Sequence, residues 1–274
     1  PEREAAARSG RTPVGIQNPI SVRHSVLRTT LVPGLLGNAA WNLNRGLEGV
    51  HLFELGHVYY WEDEERHREG CHLGLVSTGL VPGAGWAAPA AETDFYVLKG
   101  AVEALCEALR VEPVSFAEPA GGPDHFEPGR ALDVLYKGQA VGRLGALRRD
   151  LAASASVERT VYAAEIDLEA LFGKTPRPFL FVPVPKLPAV VRDLSVLVDA
   201  GVPYAEVARV LGRLNQPLLE GFELVDRFAG GSLPEGRVSL TVRFRYRHPQ
   251  RTLVAEEVDR VEQEIVGQLR AALN

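Results

Sequence analysis

The sequence predicts an α+β protein in two parts: a larger mixed region over 1–178 and a small β-α-β-β-α module over 179–274. Two observations carry this. Apolar residues recur at helical spacing in some stretches and alternate with a period of two in others. Between the parts, five prolines (Pro176, Pro178, Pro183, Pro185 and Pro188) crowd into a short segment. Proline lacks a ladder donor and disfavours helix, so 175–188 reads as an extended linker with the domain boundary near 178–186. At 274 residues the chain is long enough for two ordinary domains.

In the first part, Pro33 suits the first position of a helix, where a missing N–H costs nothing. Leu35, Leu36, Ala39, Ala40 and Leu43 continue it at helical spacing, and Gly46 stops it. Val50–Tyr60 is rich in β-branched and aromatic residues and reads as a strand. Val81–Ala91 is a Pro/Gly/Ala-rich loop. A helix from about Asp94 to Arg110 buries one face through Leu98, Ala101, Val102, Leu105, Cys106 and Leu109. Ala131–Tyr136 and Gln139–Leu147, joined by Lys137-Gly138, form a hairpin, and Val161–Leu168 is a further strand.

In the second part, Val190–Asp199 is a strand and Pro203 opens a helix to about Leu214. Leu218–Phe228 is a strand, 230–236 a turn, Val238–Arg247 a strand and Glu256–Ala272 a helix. This order is a ferredoxin-like split unit short of its last strand, so a three-stranded sheet is expected.

Apolar residues make up 46% and charged residues 24%, which is ordinary for a globular protein. No apolar run approaches the roughly 20 residues that span a bilayer, and no signal-peptide core leads the chain. A cytoplasmic location and no membrane partner are expected. Cys71 and Cys106 have no CxxC partner or metal-spaced neighbour, and two thiols in a reducing compartment are expected, Cys106 as core packing. Methionine is absent even at position 1, which reads as a piece of a longer chain. The net charge of −5 falls wholly on residues 1–178, with 18 basic and 23 acidic side chains. Residues 179–274 carry 12 of each. An acidic first part argues against broad nucleic-acid contact there; a neutral second part permits it if the basic residues cluster.

They do cluster. Along Val238–Arg247, Val238, Leu240, Val242, Phe244 and Tyr246 alternate with Ser239, Thr241, Arg243, Arg245 and Arg247. The period of two puts the apolar set against the helices and three arginines on the open sheet face. Arginine pairs with phosphate in a fork and stacks on bases, and open sheet faces of this class bind single-stranded RNA. The competing reading is a solvated edge strand guarded by charge. Arg237, at the head of the strand, and Arg192 complete the candidate set for RNA binding.

Catalytic constellations are weak. Gly142-Arg143-Leu144-Gly145 lies inside a hairpin strand, not at the strand-to-helix turn that a phosphate loop needs. The seven histidines are scattered, and His72 reads as a surface or strand residue. The acidic run Glu62–Glu65 reads as a solvated turn. No catalytic residue and no metal ligand is assigned.

Three segments resemble one family. The first is Asn18-Pro19-Ile20-Ser21, then Ser25-Val26-Leu27-Arg28-Thr29-Thr30-Leu31-Val32-Pro33-Gly34-Leu35-Leu36, Asn42-Leu43-Asn44-Arg45 and Leu52-Phe53-Glu54-Leu55-Gly56. The second is Asp94-Phe95-Tyr96-Val97-Leu98-Lys99-Gly100 with Pro128-Gly129-Arg130 and Val141-Gly142-Arg143-Leu144-Gly145. The third is Leu187-Pro188-Ala189-Val190-Val191-Arg192-Asp193-Leu194-Ser195 with Leu233-Pro234-Glu235-Gly236 and Arg251-Thr252-Leu253. In this order the chain resembles the C-terminal part of bacterial phenylalanyl-tRNA synthetase β subunits. The departures are Val97 for an acidic residue, Glu127 for a histidine, and Val254 where a Thr normally caps the last helix.

The resemblance implies a class II synthetase-like antiparallel sheet with flanking helices, followed by a ferredoxin-like anticodon-binding domain. It implies a non-catalytic chain that binds no cofactor itself, with ATP and Mg²⁺ held by the assembled enzyme. The implied partners are the α subunit, tRNA(Phe) and a second β subunit in an (αβ)₂ tetramer. The residues agree on one point. A working class II site needs an arginine on a core strand against the ATP α-phosphate, and Val50–Tyr60 has none. The alternatives are a freestanding interaction protein that binds no RNA, and an independent class II ligase, which the missing strand arginine disfavours.

Overall fold

The computed structural model describes residues 2–21, 25–81, 83, 86, 89–111, 114–121, 125–172, 181, 183–231 and 233–273, with side chains from residue 6 onward. The chain divides into two compact units, Pro1–Phe179 and Leu180–Asn274. Much of the expected linker (175–180 and 182) and parts of the expected loop at 81–91 lie outside the described residues.

The first unit holds α1 (Glu2–Ser9), β1 (Thr12–Pro13), α2 (Val32–Leu43), β2 (Gly49–Trp61), β3 (His67–Gly79), α3 (Phe95–Ala108), β4 (Ser115–Ala117), β5 (Phe126–Tyr136), β6 (Gln139–Leu147), α4 (Arg149–Ser154), β7 (Val161–Asp167) and α5 (Leu168–Phe172). Its seven strands form one antiparallel sheet in the order β1-β2-β3-β7-β6-β5-β4. The period of two on β7 shows how two cores arise from one strand. Val161 and Ala163 pack with Leu31, Leu35, Leu36 and Ala39 of the α2 region. Tyr162, Ala164 and Ile166 pack with Leu98, Val102 and Cys106 of α3. The sheet is therefore covered by a helix on each face.

The predicted helices and hairpin form, with two corrections. The strand β3 escaped the sequence reading: it is paired on both sides, and its glycines and histidines hide the alternation. His72 is on that strand but not at the surface, being 2% exposed. The glycines of the Gly142–Gly145 segment allow close strand approach. A Cβ on Gly145 would lie 2.5 Å from the Arg130 carbonyl oxygen, and one on Gly142 would collide with that of Glu165. The acidic run is the exposed β2–β3 turn, where Asp63 accepts the Glu65 and Arg66 backbone N–H groups.

The second unit holds β8 (Val190–Asp199), α6 (Tyr204–Gly212), β9 (Leu219–Ala229), β10 (Arg237–Tyr246) and α7 (Ala255–Leu273). The expected three-stranded sheet is present in the order β8-β10-β9. The edge-strand reading of Val238–Arg247 is overturned, since β10 pairs on both sides. Val238, Leu240, Val242, Phe244 and Tyr246 form the core with Val207 and Leu211 of α6 and Val258, Val261, Ile265 and Leu269 of α7. No helix among the described residues is long and apolar enough to cross a membrane.

Candidate nucleic-acid interface

The face of the second sheet opposite α6 and α7 is set by register, because residues directly opposite on antiparallel strands share a face. Arg237, Ser239, Thr241, Arg243 and Arg245 oppose Asp199, Leu197, Ser195, Asp193 and Val191 on β8. On β9 the same row carries Phe228, Asp226, Glu223 and Gly221. Arg247 follows the end of β10, its N–H donating to the Leu218 carbonyl at 2.9 Å.

Each of these arginines has a carboxylate. Arg243 forks onto Asp193 through two bonds of 2.8 Å. Arg245 reaches Glu223 at 3.0 Å, Arg247 reaches Glu220 at 2.9 Å, and Arg237 reaches Asp199 at 3.0 Å. Arg247 also donates to the Leu187 carbonyl. The Arg243 hydrogen bonds hold the Asp193 carboxyl below its ordinary range. Exposed pairs of this kind are worth little and break readily. The face is therefore preorganised but neutralised: a phosphate must displace a carboxylate to reach a guanidinium.

Arg192 is placed apart from the other four. It opposes Phe244, on the helix-covered side of β8. There it acts on Tyr246, whose phenol burial, and then Glu262, push above its ordinary range while Arg192 pulls the other way.

The sequence reading missed Phe228. In the middle of β9 the even-numbered residues lie on the helix side, Phe222 opposite Phe244 and Leu224 opposite Val242. A bulge between Thr241 and Val242 then shifts the register, so Phe228 opposes Ser239 on the open face, 49% exposed. An inserted residue exchanges the faces of everything beyond it. Alternation continued from Phe222 and Leu224 would have put Phe228 in the core.

The first unit holds a second polar cluster, on the α2 side of the large sheet. Glu165 takes the position after Val161 and Ala163, just past the start of α2. Its Oε2 accepts the Leu31 N–H at 2.9 Å and the Thr30 hydroxyl at 2.5 Å, and its Oε1 lies 2.7 Å from His72 Nδ1. Burial alone would raise its pKa, but the bonds from His72, Thr30 and Leu31 outweigh burial and hold the carboxyl below its ordinary range. Glu165 thus caps α2 from a distant strand, where Leu31 has no side-chain cap to give. The cluster borders a cavity of about 450 Å³. Arginines enter this region from strands other than β2: Arg143 on β6 is bonded to Asp133 and Arg68 on β3 to Asp167. Among the described residues that line the cavity, Arg8, Arg11 and Arg143 balance Asp133, Glu165 and Asp167, which does not fit Mg²⁺-ATP, whose excess negative charge needs unpaired cations. No group of three metal-ligating side chains stands together among the described residues.

The two units define a class: a synthetase-type protein in which a large antiparallel domain precedes a ferredoxin-fold anticodon-binding domain. Residues 185–274 match the ferredoxin-fold anticodon-binding domain model, and residues 2–168 match the phenylalanyl tRNA synthetase beta chain CLM domain model. The chain belongs to the phenylalanyl-tRNA synthetase β-chain family. It is 36% identical over 263 residues to the phenylalanine–tRNA ligase beta subunit of Moorella thermoacetica, covering 96% of this chain and 32% of that one. It is 34% identical over 260 residues to the beta subunit of Geobacter metallireducens, covering 94% and 32%. The Listeria innocua beta subunit is 34% identical over 262 residues, covering 95% and 32%. The chain spans about a third of the length of these relatives.

Proposed function

We propose that this chain is a non-catalytic portion of a phenylalanine–tRNA ligase, scaffolding its assembly and contacting the anticodon region of tRNA(Phe) across the open face of the β8-β10-β9 sheet. The observation that carries the reading is the convergence of Arg237, Arg243, Arg245, Arg247 and Phe228 on one helix-free face. The arginines would trade carboxylates for phosphates, and Phe228 would stack on a base. Arg192, on the other side of the sheet, would contribute only where RNA wraps the β8 edge.

The first unit would pack against the α subunit and a second β subunit in an (αβ)₂ enzyme. ATP and Mg²⁺ would be held elsewhere in that assembly. Each arginine that trades its carboxylate for a phosphate releases counterions from the RNA, so the affinity should fall as salt rises.

The test is steady-state aminoacylation by the assembled enzyme carrying Arg243→Ala, Arg245→Ala and Arg247→Ala together. The expected result is a KM for tRNA raised about tenfold or more with kcat nearly unchanged, the signature of lost uniform binding. An unchanged KM would remove the RNA role and favour a surface that serves protein contacts alone.

A further inference from the structure

A second cavity, also of about 450 Å³, lies in the first unit where the chain leaves β6, forms α4 and returns as β7. Its floor is the buried set Leu147, Ala152, Val157 and Val161, part of the α2-side core. Its polar lining comes from three places in the chain. Arg149 opens α4, Glu158, Arg159 and Thr160 lead into β7, and Glu127 and Arg130 belong to a bulge of β5. In that bulge Glu127, Pro128, Gly129 and Arg130 stand against Ala146 alone, and Gly129 takes the turn at a φ of 72°. A bulge re-aims the side chains it carries, and this one adds Glu127 and Arg130 to the lining.

Elsewhere in the unit guanidiniums are commonly held by carboxylates: Arg8 by Asp150, Arg28 by Glu54, Arg68 by Asp167 and Arg143 by Asp133. Among the described residues, Arg130, Arg149 and Arg159 form no ion pair. Arg130 donates to Tyr162 Oη at 3.5 Å and Arg159 to the Glu48 carbonyl at 2.9 Å, both neutral acceptors that leave the charge uncompensated. The Arg149 side chain has no partner among the described residues. All three arginines are exposed, so their guanidiniums are open to a ligand. The carboxylates of the lining are Glu127 and Glu158. Glu127 accepts the Arg149 backbone N–H at 2.8 Å. Three guanidiniums against two carboxylates leave the lining with surplus positive charge.

The surplus selects an anion, and the arrangement selects its class. A carboxylate has two oxygens in one plane and suits a single guanidinium fork. A phosphate has oxygens in several directions and takes guanidiniums arriving from separate elements. We propose that this cavity binds a phosphate group, its oxygens held by Arg130, Arg149 and Arg159 and its attached sugar-sized body lying over the apolar floor. The volume is in the range of small-molecule sites and exceeds what a phosphate alone would fill. Two sources carry this chemistry: the monoester of a small phosphorylated ligand and the diester of an RNA backbone. The site is independent of the RNA reading of the other unit.

The test is calorimetry on the 274-residue chain at low salt, with ribose 5-phosphate as the monoester and a short oligouridylate as the diester. Ribose and acetate are the controls without phosphate. The oligouridylate arm uses the chain carrying Arg243→Ala, Arg245→Ala and Arg247→Ala, which removes the open sheet face of the other unit from the readout. The expected result is saturable binding of at least one phosphate and of neither control, weakened about tenfold or more by Arg149→Gln. Arg45→Gln removes an exposed arginine that stacks on Trp41 outside the cavity, and should leave the affinity unchanged. Should Arg149→Gln fail to fold, Ala153→Leu narrows the cavity from α4 with all three arginines in place, and should weaken binding likewise. Binding of the monoester alone supports a small phosphorylated ligand, and binding of the oligouridylate alone supports an RNA backbone. No saturable binding of either, an equal response to acetate, or equal losses in Arg149→Gln and Arg45→Gln would overturn the proposal.

Discussion

Glu165 shows how much one side chain can hold. Its carboxylate ties β7 to β3 through His72 and to the start of α2 through Thr30 and Leu31. Glu165→Ala would strand these donors in a nearly closed site, and a loss of about 3 kcal/mol is expected by urea denaturation. The pH dependence has a definite sign. The folded carboxyl titrates below its unfolded value, so its contribution is complete above the ordinary carboxylate range and fades as pH falls through the lowered value. Glu165→Gln should flatten that part of the acid limb. At Gly145 the constraint is steric. A Cβ there would press on Arg130 and Ala131 of the neighbouring strand, and Gly145→Ala should cost about 1–3 kcal/mol in the same assay. The sequence shows both residues, but neither role: each depends on what lies across the sheet.

At the scale of the element, α7 solves a capping problem visible in the sequence. Val254 cannot cap the helix, yet Glu257 reaches back to the Val254 N–H at 3.2 Å, half of a capping box. Arg251 grips the same carboxylate, and its hydrogen bonds, with that of Val254, hold the Glu257 pKa down to about 2. This support is present above the ordinary value of 4.5 and is lost as pH falls towards about 2. Thermal melts of Glu257→Gln should match the parent at the bottom of that window and fall below it above 4.5. The bulged β9 gives a second element-scale prediction. Phe228 is half exposed on the open face, so Phe228→Ala should change folding stability by less than about 0.5 kcal/mol. The same change should weaken tRNA binding by about 1–3 kcal/mol if a base stacks on it. Equal tRNA affinity in filter binding would remove it from the interface.

At the scale of the molecule, the two units close separate cores, one pair on either face of the seven-stranded sheet and one beneath the three-stranded sheet. Phe244 is fully buried in the latter, and Phe244→Ala should cost about 3–5 kcal/mol. The loss is expected in hydrogen exchange of β8, β9 and β10, with the amides of β3 and β7 keeping their protection. Loss of protection spread equally over both units would instead mean one cooperative fold.

The sequence by itself determined the α+β class, the order of the second unit, the hairpin, the two long helices and the arginine-bearing face of β10. These rest on local periodicity, which one chain segment displays alone: Val238 to Arg247 alternates whatever its neighbours are. It did not reveal β3, whose pattern is masked by Gly70, Gly74 and two histidines. It did not give the central place of β10, the bulge that turns Phe228 outward, or the separation of Arg192 from the other arginines. It also left His72, Glu165, Thr30 and Arg143 as unrelated letters spread over more than a hundred positions. Only the tertiary structure decided these, because strand order and register are settled by pairing between segments distant in the chain, and a shift of one residue exchanges the two faces of a strand.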